Sequence, residues 1–184
     1  IRVESKYTAI GVSFSAPTTN GWQATNSIQE GASLVISNTD IAVRVDITDA
    51  ITGEAFGVIM APTISLYKWS RMEFRNLRIN AASYVPQTRG PGTNSKFKSY
   101  VDGIAIMSTT RANFGSTITV DETTILASAT SNEEGEGLAS YTAVNGIRCH
   151  MTTFLRDGSH FKVTNSNLTT ITEGSIVWRL AMAM

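Results

Sequence analysis

The chain has 184 residues, 42% of them hydrophobic, enough to bury a full core as one domain spanning 1–184. Its apolar stretches fall far short of the roughly 20 residues that a bilayer-crossing helix needs, and no signal-peptide pattern opens it, so no membrane association is expected. Fifteen basic residues balance fifteen acidic ones, so the overall basic excess of a nucleic-acid binder is missing, and a single cysteine, Cys149, excludes an internal disulfide and favours a reducing compartment.

Starting at Ile1 rather than methionine, the sequence reads as a processed product or the remainder of a longer chain. Thr, Ser, Ile, Val and Ala abound and helical three-and-four spacing is scarce, which favours strands. Ala9 to Ser15 alternates Ile10, Val12 and Phe14 with small residues and predicts a first strand, closed by Ala16-Pro17 and Asn20-Gly21. Leu34 to Ile36 is a short strand, and Ile41 to Ile47 alternates cleanly. Gly53 to Pro62 is a further apolar segment, and Thr63 to Trp69 fits a turn of helix.

The stretch from Leu66 to Gly103 carries the most information. Met72 and Phe74 alternate with Arg71, Glu73 and Arg75, the period of a half-buried strand. At Asn76 the phase slips, since Leu77 and Ile79 are apolar where polar residues are due. Either a bulge lies near Asn76 or the strand is covered on both faces. Tyr84-Val85-Pro86 ends the run, and Gln-Thr-Arg-Gly-Pro-Gly is turn chemistry. Val101 to Met107 and Ser116 to Val120 continue as strands; Asp121 to Ala129 fits helix or strand. Ser131 to Gly137 is a glycine-bearing acidic loop. Ile147 to Leu155, Phe161 to Thr164 and Ser175 to Met184 finish the chain, with Arg156-Asp157-Gly158 as a hairpin turn and Asn165 to Gly174 as a polar connection. Eight or more short strands, joined by connections too short for crossover helices and without an internal repeat, predict an antiparallel sandwich or barrel.

The block Tyr67, Trp69, Tyr84, Val85, Pro86, Thr88 and Asp102, with the terminal Glu173 to Met182 strand, resembles the shell domain of coat proteins of small icosahedral positive-strand RNA viruses of the tombusvirus and sobemovirus type. The sequence departs from that pattern at Asn76 to Ser83, which looks like an insertion, and at Arg89-Gly90-Pro91-Gly92. The resemblance implies an all-β, eight-stranded antiparallel jelly-roll sandwich. It implies a structural capsid protein without enzymatic activity, assembling in the host cytoplasm into a virion shell of many copies around the genome. It also implies that genomic RNA is held by a basic N-terminal arm outside this sequence. Tyr67, Trp69, Tyr84, Pro86 and Trp178 would be structural or interface positions, with Trp69 buried. Related shells hold calcium between subunits through aspartates: Asp102 stands at that position, although residue 105 is alanine where a second aspartate is usual. Asp46 and Asp49 show such a spacing too, which a strand-end turn also explains.

Arg71, Arg75, Arg78, Lys96 and Lys98 form a basic cluster that suits a polyanion such as RNA, or the charged outer face of an ordinary strand. Alternation with Glu73 and the lack of interleaved aromatics argue against base recognition. For catalysis there is little: Cys149 and His150 are strand neighbours that point apart, His160 flanks a turn, and no nucleophile, phosphate-loop or zinc motif occurs. A carbohydrate-binding jelly-roll module is the alternative. It requires exposed aromatics beside a carboxylate or amide, for which Trp22, Gln23 and Asn26 are the candidates. A hydrolase would require paired acids or a histidine–carboxylate pair, with Glu133 and His150 as test positions.

Overall fold

In the computed structural model, residues 1–15, 25–48, 52–61, 63–85, 98–107, 110–131, 141–149, 153–174 and 178–182 are described, and every regular element among them is a strand. Alternating apolar residues make these strands, but successive strands do not fold back on one another. Each pairing between described strands is parallel. The expected antiparallel jelly roll is therefore incorrect, and a stack of parallel coils takes its place.

Each coil runs along three faces. The first face holds β1 (Arg2–Ser5), β4 (Ser33–Asp46), β7 (Arg71–Val85), β10 (Thr117–Asp121) with β11 (Thr124–Ser131), and β14 (His160–Thr164) with β15 (Asn167–Gly174). The second holds β2 (Thr8–Ser15), β5 (Thr52–Ala61), β8 (Lys98–Ile106), β12 (Tyr141–Cys149) and β16 (Trp178–Met182). The third holds β3 (Thr25–Ile28), β6 (Thr63–Leu66), β9 (Thr110–Ala112) and β13 (Thr153–Leu155). Except for β10–β11 and β14–β15, which each continue one face, consecutive strands lie in different sheets, and strands pair with those of the neighbouring coil. Parallel pairs need a long crossover; here the remainder of the coil is that crossover, so short connections do not imply antiparallel pairing.

The expected absence of an internal repeat is also corrected. Asn38 and Asn76 occupy equivalent sites 38 residues apart, Leu77 and Thr123 are 46 apart, and Ser116 and Ser159 are 43 apart. Within the coil, Thr63 to Trp69 is a strand and a turn rather than helix, Asp121 to Ala129 falls largely in β11, and the polar Asn165 to Gly174 connection contains β15. Arg156-Asp157-Gly158 turns a corner between sheets and closes no hairpin, because β13 pairs with β9 and β14 with β10.

Inward side chains stack in columns, coil upon coil. Ile41, Ile79, Ile125 and Leu168 form one column, and Val43, Ala81 and Ala127 another. Met72, Phe74, Ile118 and Val120 fill the adjoining part of the first face, against Val58, Met60, Ile104 and Ile106 from the second. Burying each large aliphatic or aromatic side chain here contributes roughly 1.5–3 kcal/mol.

Two special columns keep the coils in phase. At Asn38, Asn76, Glu122 and Asn165 the backbone turns left-handed, with φ of 52°, 50°, 49° and 49°. Phe74 and Leu77 therefore both point inward, and the phase slip at Asn76 is a left-handed kink shared by neighbouring strands rather than a bulge, since the register stays one residue to one across it. Asn76 Nδ2 donates to Asn38 Oδ1 at 2.7 Å, linking the kinks of two coils. Opposite this face, Gly11, Gly57, Gly103 and Gly146 stack on the second face. A Cβ on Gly57 would lie 2.5 Å from the Gly103 carbonyl oxygen, and one on Gly103 would lie 2.6 Å from that of Gly146 while colliding with Ile125. The clash is with backbone, which no rotamer change relieves.

Gly103→Ala is accordingly expected to lower stability by about 3 kcal/mol, a fall in melting temperature of roughly 6–12 °C for a chain of this size. Gly31→Ala serves as the contrast: its Cβ meets nothing within 4 Å but its φ is 70°, so it should lose only about 1 kcal/mol. Thermal melts of the two variants check both numbers.

Candidate functional site

Where the third face meets the first, every coil makes the same four-residue turn: 29–32, 67–70, 113–116 and 156–159. In each, the fourth amide donates to the first carbonyl: Ala32 to Gln29 at 3.0 Å, Ser70 to Tyr67 at 3.0 Å, Ser116 to Asn113 at 3.3 Å and Ser159 to Arg156 at 3.0 Å. The third amide donates to the second carbonyl of the next turn, Gly31 to Lys68, Trp69 to Phe114 and Gly115 to Asp157, at 3.0, 3.2 and 3.0 Å. A hydrogen-bonded ladder thus runs along the corner, parallel to the stack.

The third residue of each turn is left-handed. Three coils place glycine there, Gly31, Gly115 and Gly158, at φ of 70°, 72° and 75°; the second coil places Trp69 there, at 59°. For a non-glycine residue this backbone costs about 1–2 kcal/mol. Burial does not compensate, because Trp69 is 60% exposed. Its expected role as a buried anchor is thereby corrected. The ring lies along the corner onto Gly115, whose Cβ, if present, would come within 2.5 Å of Trp69 Cζ3. One ring face rests on backbone and the other meets solvent.

Two more aromatics share this corner. Tyr67 is 47% exposed, and Phe114 is 56% exposed, itself at φ 49°. Tyr67 and Phe114 line a cleft of about 450 Å³ together with Gln29, Glu30, Lys68 and Asn113. Lys68 Nζ lies 3.9 Å from Glu30 Oε1, so the charges in the cleft oppose each other. Single exposed aromatics are ordinary, but a patch of them beside amides and acids is what a binding surface needs.

A second polar cluster lies in β8 and β12. Asp102 is fully buried; Asn145 Nδ2 donates to its Oδ1 at 2.7 Å, and Arg148 Nη2 forms an ion pair with its Oδ2 at 2.6 Å. The Arg148 guanidinium stands 6.0 Å from the centre of the Phe56 ring. Burial pushes the Asp102 carboxyl above the usual carboxylate range; the Arg148 charge and the hydrogen bonds from Asn145 and Arg148 oppose the shift, and the Glu54 charge adds to it. This is a buried ion pair, and its ligand positions are already taken by an amide and a guanidinium.

The other residues singled out from the sequence are dispersed. Asp46 closes β4 and pairs with Arg44 at 2.7 Å, on a different sheet from Asp102, and Asp49 lies outside the described residues. Among the described residues no three His, Cys, Asp or Glu side chains come together. Arg71, Arg75 and Arg78 are all exposed on β7, but Arg75 Nε donates to Glu122 Oε2 at 3.3 Å and Arg78 stands in register with Asp40. Lys98 opens β8 on another sheet, and Lys96 lies outside the described residues. Tyr84 is half-buried with Arg44 over its ring at 5.4 Å; Trp178 belongs to β16. Pro86, Trp22, Gln23, Glu133 and His150 lie outside the described residues, while Asn26 is on β3 and His160 opens β14, exposed.

Sequence reasoning missed Gln29, Glu30, Asn113 and Phe114 as a group. The signal was present in four related tetrapeptides, Gln-Glu-Gly-Ala, Tyr-Lys-Trp-Ser, Asn-Phe-Gly-Ser and Arg-Asp-Gly-Ser. No family model matches the chain, and neither a curated protein nor a solved structure was found to be similar to it.

Arg148→Leu should leave the Asp102 charge buried and unpaired, costing about 3–5 kcal/mol at neutral pH. A carboxyl whose folded pKa is raised contributes stability that is full below its unfolded pKa and is lost as pH rises through the folded value. The Arg148→Leu deficit should therefore shrink on acidification, as Asp102 takes up its proton. Urea unfolding of the parent and variant across the acid range checks the sign.

Proposed function

We propose that the chain is a carbohydrate-binding module whose binding surface is the corner formed by Tyr67, Trp69 and Phe114. The observation that carries this reading is Trp69, a large aromatic held at φ 59° in a position where the other coils use glycine, with its outer face in solvent. Backbone strain that packing does not explain is a mark of functional positions. A saccharide ring offers a flat apolar face to an aromatic side chain and hydroxyls at its rim to amides and carboxylates. Tyr67, Trp69 and Phe114 supply the first kind of partner, and Gln29, Glu30, Lys68 and Asn113 supply the second.

The shell-forming role implied by the coat-protein resemblance rested on a wedge-shaped jelly roll, and a stack of parallel coils removes that premise. RNA binding through the β7 arginines finds no support in a surface where Glu73, Glu122 and Asp40 stand among them. The glycan reading needs neither. It places the surface at a different aromatic cluster from the one the sequence suggested, around Trp22.

Trp69→Gly is expected to keep the coil intact and to raise stability by about 1 kcal/mol through relief of the left-handed strain. The same change should weaken glycan binding by at least about tenfold, the equivalent of about 1.4 kcal/mol. Affinity electrophoresis against a panel of soluble polysaccharides, read beside thermal melts, tests the pair of outcomes. A variant that binds as the parent does would sink the proposal.

A further inference from the structure

We infer that the ligand of this corner is a neutral, linear polysaccharide lying lengthwise along the stack of turns. The inference rests on the glycan reading above and narrows it. The first support is direction. Gln29, Tyr67 and Asn113 occupy the first position of three successive turns, and Glu30, Lys68 and Phe114 occupy the second. The cleft they line crosses three coils, and neighbouring coils in a parallel ladder stand about 4.8 Å apart. It therefore extends over roughly 10 Å along the axis. A polymer laid along it meets equivalent positions coil after coil, whereas one laid across it leaves the corner at once.

The second support is the chemistry of the polar groups. Gln29 Nε2 already donates to Ser27 Oγ at 3.1 Å, and Asn113 Nδ2 to the Leu66 carbonyl at 3.4 Å. Each side chain keeps its oxygen as an acceptor and one N–H as a donor. Glu30 contributes two more acceptor atoms, and Lys68, the one cation among the described residues of the cleft, stands 3.9 Å from that carboxylate. The cleft thus offers both donors and acceptors, and its two opposite charges offset each other. A hydroxyl-rich chain donates to and accepts from such groups. A uronate, sulfate or phosphate polymer brings negative charge, which Glu30 repels and Lys68, already beside that carboxylate, cannot wholly offset.

The third support is the pair of rings. Tyr67 and Phe114 both line the cleft and belong to adjacent coils, so two aromatic positions succeed each other along the axis. A long ligand engages both, and a short one engages a single ring.

The test is calorimetric titration of the chain with neutral gluco-, xylo- and manno-oligosaccharides from the disaccharide upward, beside polygalacturonate and a sulfated glycan. Affinity for a neutral series should rise at least about tenfold from the disaccharide to a plateau, with the anionic polymers weaker. Phe114→Asn, which removes the ring and keeps a residue that tolerates positive φ, should cost about tenfold for the long ligands only. Length-independent affinity, preference for the anionic polymers, or an unchanged Phe114→Asn profile would each overturn the inference. If those results accompany binding that Trp69→Gly abolishes, the lengthwise neutral ligand is wrong and the glycan reading stands; if no saccharide binds, both fail.

Discussion

The molecule depends on one close approach: the glycine column of the second face, where the backbone of each coil lies against the carbonyl of the next. Gly57 and Gly103 have no space for even a methyl group, because Ile79 and Ile125 from the opposite face press into the same gap. That fit fixes the height of one coil on another and the angular position of each face. Once it is set, equivalent residues return to equivalent places, and the aliphatic columns, the left-handed kinks at Asn38 and Asn76 and the corner turns all follow in phase.

Against that uniformity, the corner turn of the second coil stands out physically. Glycine satisfies the left-handed position without strain in the other three turns, and the serines that follow two of them, Ser116 and Ser159, are buried. The second coil's backbone bonds are the same, Trp69 N–H to the Phe114 carbonyl and Ser70 N–H to that of Tyr67, but Trp69 brings a large ring to the surface. The fold tolerates this because the ladder of amide bonds along the corner over-determines the backbone. The neighbouring glycine, Gly115, then gives the ring a flat seat.

The strands themselves were legible in the sequence. Ile41 to Ile47 and Met72 to Ile79 alternate because one side of each strand faces the core, and the slip at Asn76 marks a left-handed kink that neighbouring strands share. Pairing direction was not legible, since alternation has the same period in parallel and antiparallel sheets. The repeat was hidden because its length varies between 38, 46 and 43 residues, and because its columns preserve residue class rather than identity: Leu168 stands where the other coils have isoleucine. Tyr67 and Trp69 resemble a coat-protein motif, which implies structural or interface positions for both, with Trp69 buried. Phe114 and Glu30 belong to no such motif, and their nearness to Trp69 exists only once coils are stacked. Asp102, noticed as an acid, is held by Arg148 and Asn145 from a strand more than forty residues later.

Because the described strands pair only with those of the coils directly before and after, the molecule is close to a one-dimensional lattice. Its free energy is approximately a sum of per-coil terms and nearest-neighbour interface terms, and those interfaces close loops of similar length, about forty residues each time. The first pair of coils meets the full entropic penalty of closure with no prior surface to dock on. Each later coil pays a like penalty but condenses on a formed template. Order should then spread along the axis from whichever interface forms first, and the chain carries its cooperativity in the contact between coils rather than in any coil alone.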